Sequence, residues 1–587
     1  MQSDARPTEA FDRIRAQLWP RQIVRQLRER KKAATFNRFF ESQHVLDLKL
    51  IVSLGLILAG GAVHWVKGAN FMVKQVFGLA MVCVLTVGGG AMAQQAAAPA
   101  PLGPLGVPVG ATGGLNDAPQ IFAANCASCH GNDLAGGRGP SLFAPNLLAE
   151  NSDETLRQFI LAGVSGSDMP AFKNRLDDAQ IGRLLAFLRI HSGELASHPP
   201  AVPDPTNRVI KSEKEAFRID VVASGIDTPW GESFLPDGRL LVTERGGHIR
   251  IVDAKGKLEA APVKGTPVAW VRQDGGYFDI AVDPDDRSGS PWIYLSYSEV
   301  LPGYNGTLPP PGPLKNGATL PPAMTRIVRA HINANGEWVD QQSIFKAPDA
   351  LYTPSVIHYG SRFLFDHRGH VFFTLGDRGD MTNAQRLNSP LGKIHRINDD
   401  GSVPADNPFV HTPGALPSIW SYGHRNPEGL SFDPVTGVLW ESEHGPTGGD
   451  EINIIEKGHN YGWGVVSMGL QPGITRQHQE GMDDPVIYYS PSIGPSGITF
   501  NTGSHYSGWN NNLFLGALIG QKLFRYEIDG RKITHQEILW DQYGRTRDVI
   551  MGPDGLLYVL LQNATGAPMP TETETPGMVV RLVPVNN

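Results

Sequence analysis

Two cysteines and a histidine form the most specific chemical motif in the chain. Residues 126–130 read Cys-Ala-Ser-Cys-His, and on a helix the two thiols and the imidazole project from one side. Cys126 and Cys129 can form two thioether bonds to one porphyrin while His130 binds its iron, and this spacing is the signature of c-type haem attachment. A redox dithiol is the alternative, but the Met-Pro segment downstream favours haem c.

The residues around this motif predict a small helical domain. Residues 121–125 lead into the motif with helical spacing, and 154–162 and 178–191 have the apolar periodicity of two further amphipathic helices. Residues 115–195 resemble a class I cytochrome c domain over their whole length.

That resemblance also implies a second axial ligand for the haem iron. Met169, in a Met-Pro-Ala-Phe segment, matches this ligand, and a thioether ligand raises the haem potential. His191 or His198 is the alternative ligand.

A second concentration of polar residues lies in the stretch 421–463. The clusters Gly-His-Arg-Asn at 423–426 and Glu-His-Gly-Pro at 443–446 flank a short β pattern at 437–440, and an acidic pair follows at 450–451. This arrangement predicts a functional rim on a β scaffold.

The elements that must position this rim are short strands. From residue 217 to 587, apolar runs alternate with Asp-Gly or Asp-Pro turns; a strand, a turn or short loop and a second strand recur six times, usually followed by a third strand. No long helical pattern separates the strands, which disfavours a parallel α/β fold. The sequence predicts an all-β six-bladed β-propeller, with the small all-α cytochrome c domain N-terminal to it.

Composition excludes several function classes. The formal net charge of −7 leaves no basic excess to neutralise phosphates, so we expect no nucleic-acid partner. The chain has only three cysteines, Cys83 and the two of the haem motif, which rules out a disulfide framework.

The N-terminal residues carry export signals. Lys74, an apolar core and an Ala-Met-Ala site give residues 72–93 the layout of a signal peptide, so we expect a periplasmic protein. Residues 1–71 are then an upstream extension of the gene model. Their apolar run at 48–66 makes a membrane anchor, and so membrane association, the alternative. Residues 94–114 and 196–216 have the composition of linkers.

Residues 217–587 resemble the soluble glucose/sorbosone dehydrogenase family, the pyrroloquinoline quinone (PQQ) dependent aldose sugar dehydrogenases. The resemblance lies in Pro-Trp-Gly at 229–231, Leu-Val-Thr-Glu-Arg at 241–245, His-Tyr-Gly-Ser-Arg at 358–362, Leu-Gly-Asp-Arg-Gly at 375–379, Leu-Gly-Lys at 391–393, the stretch 421–463 and Gly-Arg-Thr-Arg-Asp at 544–548. It implies a calcium-held quinone above the central channel that oxidises the anomeric hydroxyl of a sugar to a lactone.

The resemblance assigns the catalytic and quinone-binding residues. His358 matches the general base, a role suited to an imidazole near neutral pH. Arg425 and Asn426 match residues that contact the quinone carbonyls. Arg545 and Arg547 alternate on one strand, so both can face the carboxylates of PQQ.

The same resemblance implies two calcium sites. Gly445 and Pro446 match a loop whose carbonyl oxygens bind the calcium of the cofactor. Glu451 and Tyr461 match a second, structural site, for which a solvated acidic pair at 450–451 is the alternative.

Three places depart from the family pattern, and one is the absence at 470–472 of the aromatic residue often found after Tyr-Gly-Trp. Asp274 stands where the family has a glutamine, and Gln273 lies one residue early. Ile519 stands where a basic residue contacts PQQ, which leaves Lys522 as the candidate for that contact.

Together these features predict a quinohaemoprotein that oxidises an aldose or related sugar with PQQ, Ca²⁺ and haem c. Its own haem would take the electrons and pass them to a downstream cytochrome or quinone of the respiratory chain. The alternatives are a non-catalytic ligand-binding propeller with an electron-transfer cytochrome, and a calcium-dependent sugar lactonase.

Overall fold

The computed structural model of the protein describes residues 117–585, except 132–133, 135–138, 140–141, 143–152, 165–167, 198–201, 310–318, 447, 470, 472, 491 and 563–576. The predicted extension or anchor (1–71), the signal peptide (72–93) and the first linker (94–114) lie outside the described residues, as do Cys83 and His198. Among the described helices, none has the length and apolarity needed to cross a bilayer.

The N-terminal domain is helical where the structure describes it. Its helices are α1 (Ala118–Asn125), α2 (Ala127–His130), α3 (Asp153–Ala162) and α4 (Asp178–Ser197). The helices predicted over 154–162 and 178–191 are present, the second one extending further. The apolar faces of α1, α3 and α4 meet in one core that includes Phe122, Ile160 and Leu184.

The helix predicted to run through the haem motif is interrupted at its first cysteine. Cys126 has φ −122° and ψ −36°, outside the helical region, and it separates α1 from α2. The backbone N–H groups of Cys129 and His130 still donate to the Cys126 carbonyl, at 3.0 and 2.9 Å. The motif therefore occupies one short turn rather than the continuation of a longer helix.

The C-terminal domain consists of antiparallel sheets, and the strands of most sheets are consecutive in the chain. One sheet contains β3 (Pro229–Phe234), β4 (Leu240–Glu244) and β5 (His248–Val252). The next contains β6 (Tyr277–Val282), β7 (Ile293–Val300), β8 (Ala323–Ile332) and β9 (Trp338–Phe345). In the β3–β4 hairpin, Gly238 has φ +86° and so supplies the conformation that its Asp-Gly turn requires.

Three further sheets repeat this pattern. They are β10 (Phe363–Phe365), β11 (His370–Leu375), β12 (Lys393–Asn398) and β13 (Ile419–Tyr422), with α5 (Thr382–Gln385) before β12; β14 (Pro427–Phe432), β15 (Leu439–Glu443), β16 (Asp450–Ile455) and β17 (Ile487–Tyr489); and β18 (Pro495–Phe500), β19 (Leu513–Ala517), β20 (Lys522–Asp529) and β21 (Lys532–Trp540).

The sixth sheet closes the ring. It contains β1 (Val209–Lys211), β2 (Ala216–Ile226), β22 (Arg545–Met551), β23 (Leu557–Gln562) and β24 (Gly577–Pro584), in the order β1-β2-β24-β23-β22. Phe217 pairs with Pro584, so the strand that enters the domain joins the strand that ends it. The predicted six-bladed β-propeller is confirmed, as is the helical domain that precedes it.

The first strands of the blades form the inner ring of the propeller. Each of β3, β6, β10, β14, β18 and β22 contacts the next, and β22 contacts β3. Five of these strands carry an irregularity in register near their start, at 229–232, 277–280, 427–429, 495–498 and 546–548. Such bulges bend a strand and redirect its side chains, and here they occur at the end that carries the candidate site.

Apolar cores fill the spaces between neighbouring blades. For example, Trp440 and Ile452 of one blade pack with Phe500, Leu515 and Tyr526 of the next. Because each core belongs to two blades, the inner ends of the strands are held in fixed positions around the axis.

Candidate active site

His358 lies at the centre of the candidate site, on the loop before β10. Its backbone has φ +54°, a conformation that few non-glycine residues adopt, and its side chain is 2% exposed. A Cβ on Gly376 would lie 2.3 Å from the His358 carbonyl oxygen, so only glycine permits this approach of the loop to the end of β11.

Asp377 holds the imidazole in place. The Nδ1 of His358 lies 2.6 Å from Oδ1 of Asp377, and the other carboxylate oxygen accepts a hydrogen bond from Nε1 of Trp463 at 2.6 Å. Burial would raise the pKa of Asp377, but the neighbouring His358 and Arg425 lower it below its ordinary value. A charged Asp377 keeps a proton on Nδ1.

A pocket opens beside His358 at the inner ring. Its polar lining residues are Arg245, Asp274, His358, Asn426, Glu428, His444, Arg545 and Arg547. Its apolar wall includes Trp230, Phe278 and Tyr359, whose rings pack together. Charged side chains and an aromatic wall thus surround one opening beside the imidazole.

Three arginines give this pocket its charge. Arg545 and Arg547 both line it, as their alternation on one strand predicted, and Arg245 lies there as well. Burial lowers the pKa of Arg245 to about 10, still high enough for a positive charge at neutral pH. The buried Nε atoms of Arg245 and Arg547 have no hydrogen-bond partner among the described residues. Such unmatched donors fit a ligand with several carboxylates, as PQQ has.

Two carboxylates in the pocket balance part of that charge. Glu428 accepts hydrogen bonds from Arg547 at 2.5 Å and from Nδ2 of Asn426 at 3.0 Å. Asp274 accepts one from the His358 backbone N–H at 3.2 Å, and burial raises its pKa. Asp274, which stands where the family has a glutamine, therefore lines the pocket next to the His358 backbone.

Asn426 lines this pocket together with His358, whereas Arg425 lines the neighbouring second pocket, and their contact with the quinone carbonyls stays a prediction. Asn426 accepts a hydrogen bond from the Gly360 N–H at 3.0 Å, and Arg425 donates one to the His444 carbonyl at 3.1 Å. Both side chains are therefore fixed before any ligand binds.

The structure does not place Lys522 at this pocket. Its ammonium group lies 5.9 Å from the centre of the Phe524 ring, and Leu518 and Ile519 line the pocket at that edge. The tight turn at Gly520 and Gln521, both with positive φ, directs Lys522 away. Lys522 is not among the residues that line this pocket, so its contact with PQQ stays a prediction, and Arg245 supplies a cation that was not assigned from the sequence.

The four predicted calcium-binding residues lie together. Gly445, Pro446, Glu451 and Tyr461 line a second, smaller pocket next to Arg425. Asp450 is not part of this pocket's lining: its carboxylate accepts hydrogen bonds from the N–H groups of 445, 493 and 494 and so orders the loops.

A buried carboxylate cluster adjoins this second pocket. Glu441 and Glu443 alternate on β15, and across the strand pair they face Asn453 and Glu451. The amide of Asn453 donates to all three glutamates, at 3.0 to 3.4 Å. Burial and the charge of Glu443 raise the pKa values of Glu441 and Glu451 well above normal. Two buried carboxylates, the partly exposed carboxylate of Glu451 and one amide fit a hard cation such as Ca²⁺.

The residues around the Cys-Ala-Ser-Cys-His motif fit the predicted haem c. Cys126 packs against the same apolar core as Met169, and burial together with Cys129 raises the pKa of Cys126 to about 12. A Cβ on Gly139 would lie 2.7 Å from the His130 ring, so the chain passes close to the imidazole. Two thiols, an imidazole and a thioether are the donor set of a His/Met c-type haem.

Asp168 of the helical domain contacts the propeller. Oδ2 of Asp168 lies 2.5 Å from Nε2 of His358 and 3.1 Å from NH2 of Arg425. Burial and the Arg425 charge oppose a second proton on the imidazole, but Asp168 and Asp377 raise the pKa of His358 above its ordinary value. The sequence reasoning missed Asp168, since nothing near it in the chain marks it as a site residue.

Other missed residues did lie in recognisable motifs. Arg245 ends Leu-Val-Thr-Glu-Arg, and Asp377 is the aspartate of Leu-Gly-Asp-Arg-Gly. Glu441 and Glu443 alternate on a strand, which is the pattern that places two side chains on one face. These signals were available but were not assigned a role.

Comparison with known proteins places these features in a family. The model of the family described as "Glucose / Sorbosone dehydrogenase" matches residues 226–569, and that described as "Cytochrome C oxidase, cbb3-type, subunit III" matches residues 114–188. Aldose sugar dehydrogenase YliI of Escherichia coli is 37% identical over 356 residues, which are 59% of this chain and 91% of that protein.

Two more comparisons agree. Quinoprotein glucose dehydrogenase B of Acinetobacter calcoaceticus is 28% identical over 448 residues, covering 62% of this chain and 89% of that protein. The crystal structure of the soluble aldose sugar dehydrogenase from Escherichia coli, in the apo form, superposes with a TM-score of 0.55 at 33% identity, covering 63% of this chain and 100% of that one. The chain therefore belongs to the glucose/sorbosone dehydrogenase family, as a sugar dehydrogenase that carries a cytochrome c domain ahead of its propeller.

Proposed function

We propose that the protein is a periplasmic quinohaemoprotein that oxidises the anomeric hydroxyl of an aldose to a lactone, using PQQ and Ca²⁺, and passes the electrons through its own haem c. The observation that carries the proposal is the pair His358 and Asp377 beside a pocket lined by three arginines. The "quinoprotein" in the name of the Acinetobacter relative supports the choice of cofactor.

The pocket residues would hold the quinone by charge. Arg245, Arg545 and Arg547 would pair with its carboxylates, and the aromatic wall at Trp230 would pack on one side of the ring system. Arg425 would stabilise negative charge that develops during reduction. Gly445 and Pro446 would contribute carbonyl oxygens to the calcium of the cofactor, and Glu451, with its buried glutamate neighbours, would hold the structural calcium.

His358 would act as the general base. Oxidation of the C1 hydroxyl to a lactone releases two electrons and two protons, and Nε2 of His358 takes the hydroxyl proton as the C1 hydrogen leaves with the electron pair. Asp377 keeps Nδ1 protonated and so presents the lone pair of Nε2 to the sugar. PQQ, when bound, supplies the two-electron acceptor for that hydrogen.

The cytochrome domain would provide the outlet for these electrons. Cys126 and Cys129 would attach the haem, and His130 and Met169 would bind its iron. Haem c accepts one electron at a time, so two transfers to a downstream acceptor of the respiratory chain complete each turnover. The export signal at 72–93 supports a periplasmic location, and the segment 1–71 supports association with the membrane if it is translated.

A substrate screen tests this function. The full chain is loaded with PQQ and Ca²⁺, aldoses are added, and reduction of the haem is followed by its absorption bands. We expect at least one aldose to reduce the haem in the wild type but not in His358→Gln. His370→Gln is the matched control, because His370 also pairs through Nδ1 with an aspartate, Asp366, at 2.7 Å but lies outside the pocket.

Two results would contradict the proposal. If the protein binds PQQ but no aldose reduces the haem, the propeller has another activity. If purified protein hydrolyses sugar lactones without PQQ, the lactonase alternative is correct.

A further inference from the structure

Asp168 connects the two domains at the catalytic base. It belongs to the cytochrome domain, yet its carboxylate contacts two residues of the propeller. Its side chain is 15% exposed, whereas those of His358 and Arg425 are 2% and 5% exposed. The contact is therefore a largely shielded ion pair, which solvent screens less than a pair on the surface.

The cytochrome domain fixes the position of Asp168. The segment that follows Asp168 returns to α3, where the Phe172 N–H donates to the Ile160 carbonyl at 2.9 Å. The Val164 N–H donates to the Met169 carbonyl at 3.2 Å, and a Cβ on Gly163 would lie 2.5 Å from that carbonyl oxygen. Because this segment is tied to its own domain on both sides, Asp168 cannot leave His358 without a movement of the segment or of the whole domain.

Asp168 occupies the groups that the substrate needs. A sugar hydroxyl that gives its proton to Nε2 of His358 must lie within hydrogen-bond distance of that atom, where Oδ2 of Asp168 now lies. With carboxylates at both ring nitrogens, the imidazole carries two protons and has no lone pair for a substrate. The state described by the structure is thus closed to sugar and has an inactive base.

We propose that Asp168 is an intramolecular latch, which closes the substrate position by binding His358 and Arg425 and must withdraw before an aldose can reach the base. This inference rests on the proposed function, because it takes Nε2 of His358 as the atom that the sugar approaches. The occupant of the closed site is the cytochrome domain of the same chain.

The latch also positions the cytochrome domain for electron transfer. Met169 follows Asp168 directly, so the proposed haem ligand is one residue away from the carboxylate that contacts His358. Sugar oxidation leaves the hydroxyl proton on His358, and an imidazolium is the form that a carboxylate binds best. Sugar entry would therefore occur with the latch open, and electron transfer to the haem with the latch closed.

The first test measures domain docking and needs neither PQQ nor activity. The radius of gyration of the full, haem-loaded chain is measured by small-angle X-ray scattering, and cleavage within residues 196–208 by limited proteolysis. We expect Asp168→Asn and Asp168→Ala to enlarge the particle and to speed cleavage. Asp153→Asn is the matched control, because Asp153 is an acidic residue of α3 that pairs with Arg189 within the same domain.

The second test separates sugar entry from electron transfer. With PQQ and Ca²⁺ bound and a soluble dye as electron acceptor, the Asp168 variants should have a KM for the aldose about 10-fold lower than the wild type, since no closed state competes with the sugar. Reduction of the haem in the same variants should be slower. The control should match the wild type in both measurements.

The outcomes distinguish the two proposals. Asp168 variants that keep the wild-type particle size, linker protection and KM would overturn the latch. Wild-type protein that oxidises no sugar would overturn the proposed function, while the scattering and proteolysis still report whether Asp168 holds the domains together.

Discussion

Nδ1 of His358 lies 2.6 Å from Oδ1 of Asp377, and the second oxygen of that carboxylate is held by the indole of Trp463. The aspartate therefore has no freedom to rotate away from the imidazole. A base whose far nitrogen is fixed in this way has one tautomer and one orientation.

Asp377→Asn should impair the base without removing it. The amide no longer stabilises a proton on Nδ1, so we expect kcat for sugar oxidation to fall by about 100-fold or more, the usual contribution of a general base. Steady-state kinetics with a dye acceptor measure the effect. Asp366→Asn, which alters a His–Asp pair outside the pocket, should keep kcat within about 2-fold, and an equal loss in both variants would refute the role of Asp377.

Arg245→Gln should weaken PQQ binding. The substitution removes a cation whose buried Nε is unmatched in the pocket, and a charge-assisted hydrogen bond is worth about 10- to 100-fold in affinity. Calorimetric titration of PQQ in the presence of Ca²⁺ measures the change. Arg239→Gln alters an exposed arginine on the same hairpin and should have no effect. Unchanged affinity in Arg245→Gln would exclude contact of Arg245 with the cofactor.

Glu451→Gln should raise the melting temperature of the protein without calcium and lower it, relative to the wild type, with calcium. In a chelator the substitution relieves repulsion among three clustered carboxylates, so the variant should melt at a higher temperature than the wild type. In calcium the wild type should be the more stable one, because the ion adds about 2.7 kcal/mol at a hundredfold excess over its dissociation constant.

Thermal melts in EDTA and in CaCl₂ measure this crossing. Glu456→Gln is the control, because Glu456 is a surface residue paired with Arg531. Calcium that stabilises the wild type and Glu451→Gln equally would place the ion elsewhere.

Met169→His should lower the midpoint potential of the haem, because a thioether ligand favours the reduced iron more than an imidazole does. Redox titration followed by absorption measures the shift. His191→Gln should leave the potential unchanged. A shift in that variant, with none in Met169→His, would show that His191 is the ligand.

His395 should make the propeller sensitive to acid. Its ring stacks on Phe373, and its two nitrogens contact Ser418 and the Pro390 carbonyl. Burial lowers its pKa from 6.5 to about 3. The unfolded chain therefore binds a proton below pH 6.5 that the folded chain does not, and stability falls as pH falls from 6.5 toward 3.

Denaturant unfolding between pH 7 and 5 measures this effect. The contribution of His395 approaches about 1.4 kcal/mol per pH unit below its unfolded pKa. His395→Gln should remove that part of the slope, whereas His459→Gln, at a surface pair with Asp483, should retain it. Identical slopes in all three proteins would contradict the prediction.

The fold could be predicted because its signals are local and repeated. The blades share a sequence pattern of a strand, a turn or short loop and another strand, and most of these turns contain Asp-Gly or Asp-Pro. Arg545 and Arg547 could be placed on one face by their alternation alone, and both line the pocket. The haem motif is equally local, although the break in the helix at Cys126 is not visible in its spacing.

What the sequence could not show depends on distant contacts or on backbone direction. Asp168 meets His358 across 190 positions in the chain, and no pattern around either residue marks that pairing. Lys522 is a suitable residue for a carboxylate, but the turn before β20 points it elsewhere. Periodicity determines which face of a strand a side chain occupies, and it does not determine which loop lies opposite.

The pairing of β2 with β24 has a consequence for how the protein is made. The ring cannot close until the last strand has been synthesised, because β2 pairs with β24, for example Phe217 with Pro584. The helical domain lies wholly before β2 and needs no partner from the propeller for its own core. We therefore expect haem attachment to be complete while the propeller is still an open arc, so that the redox centre matures before there is a catalytic site to deliver electrons to it.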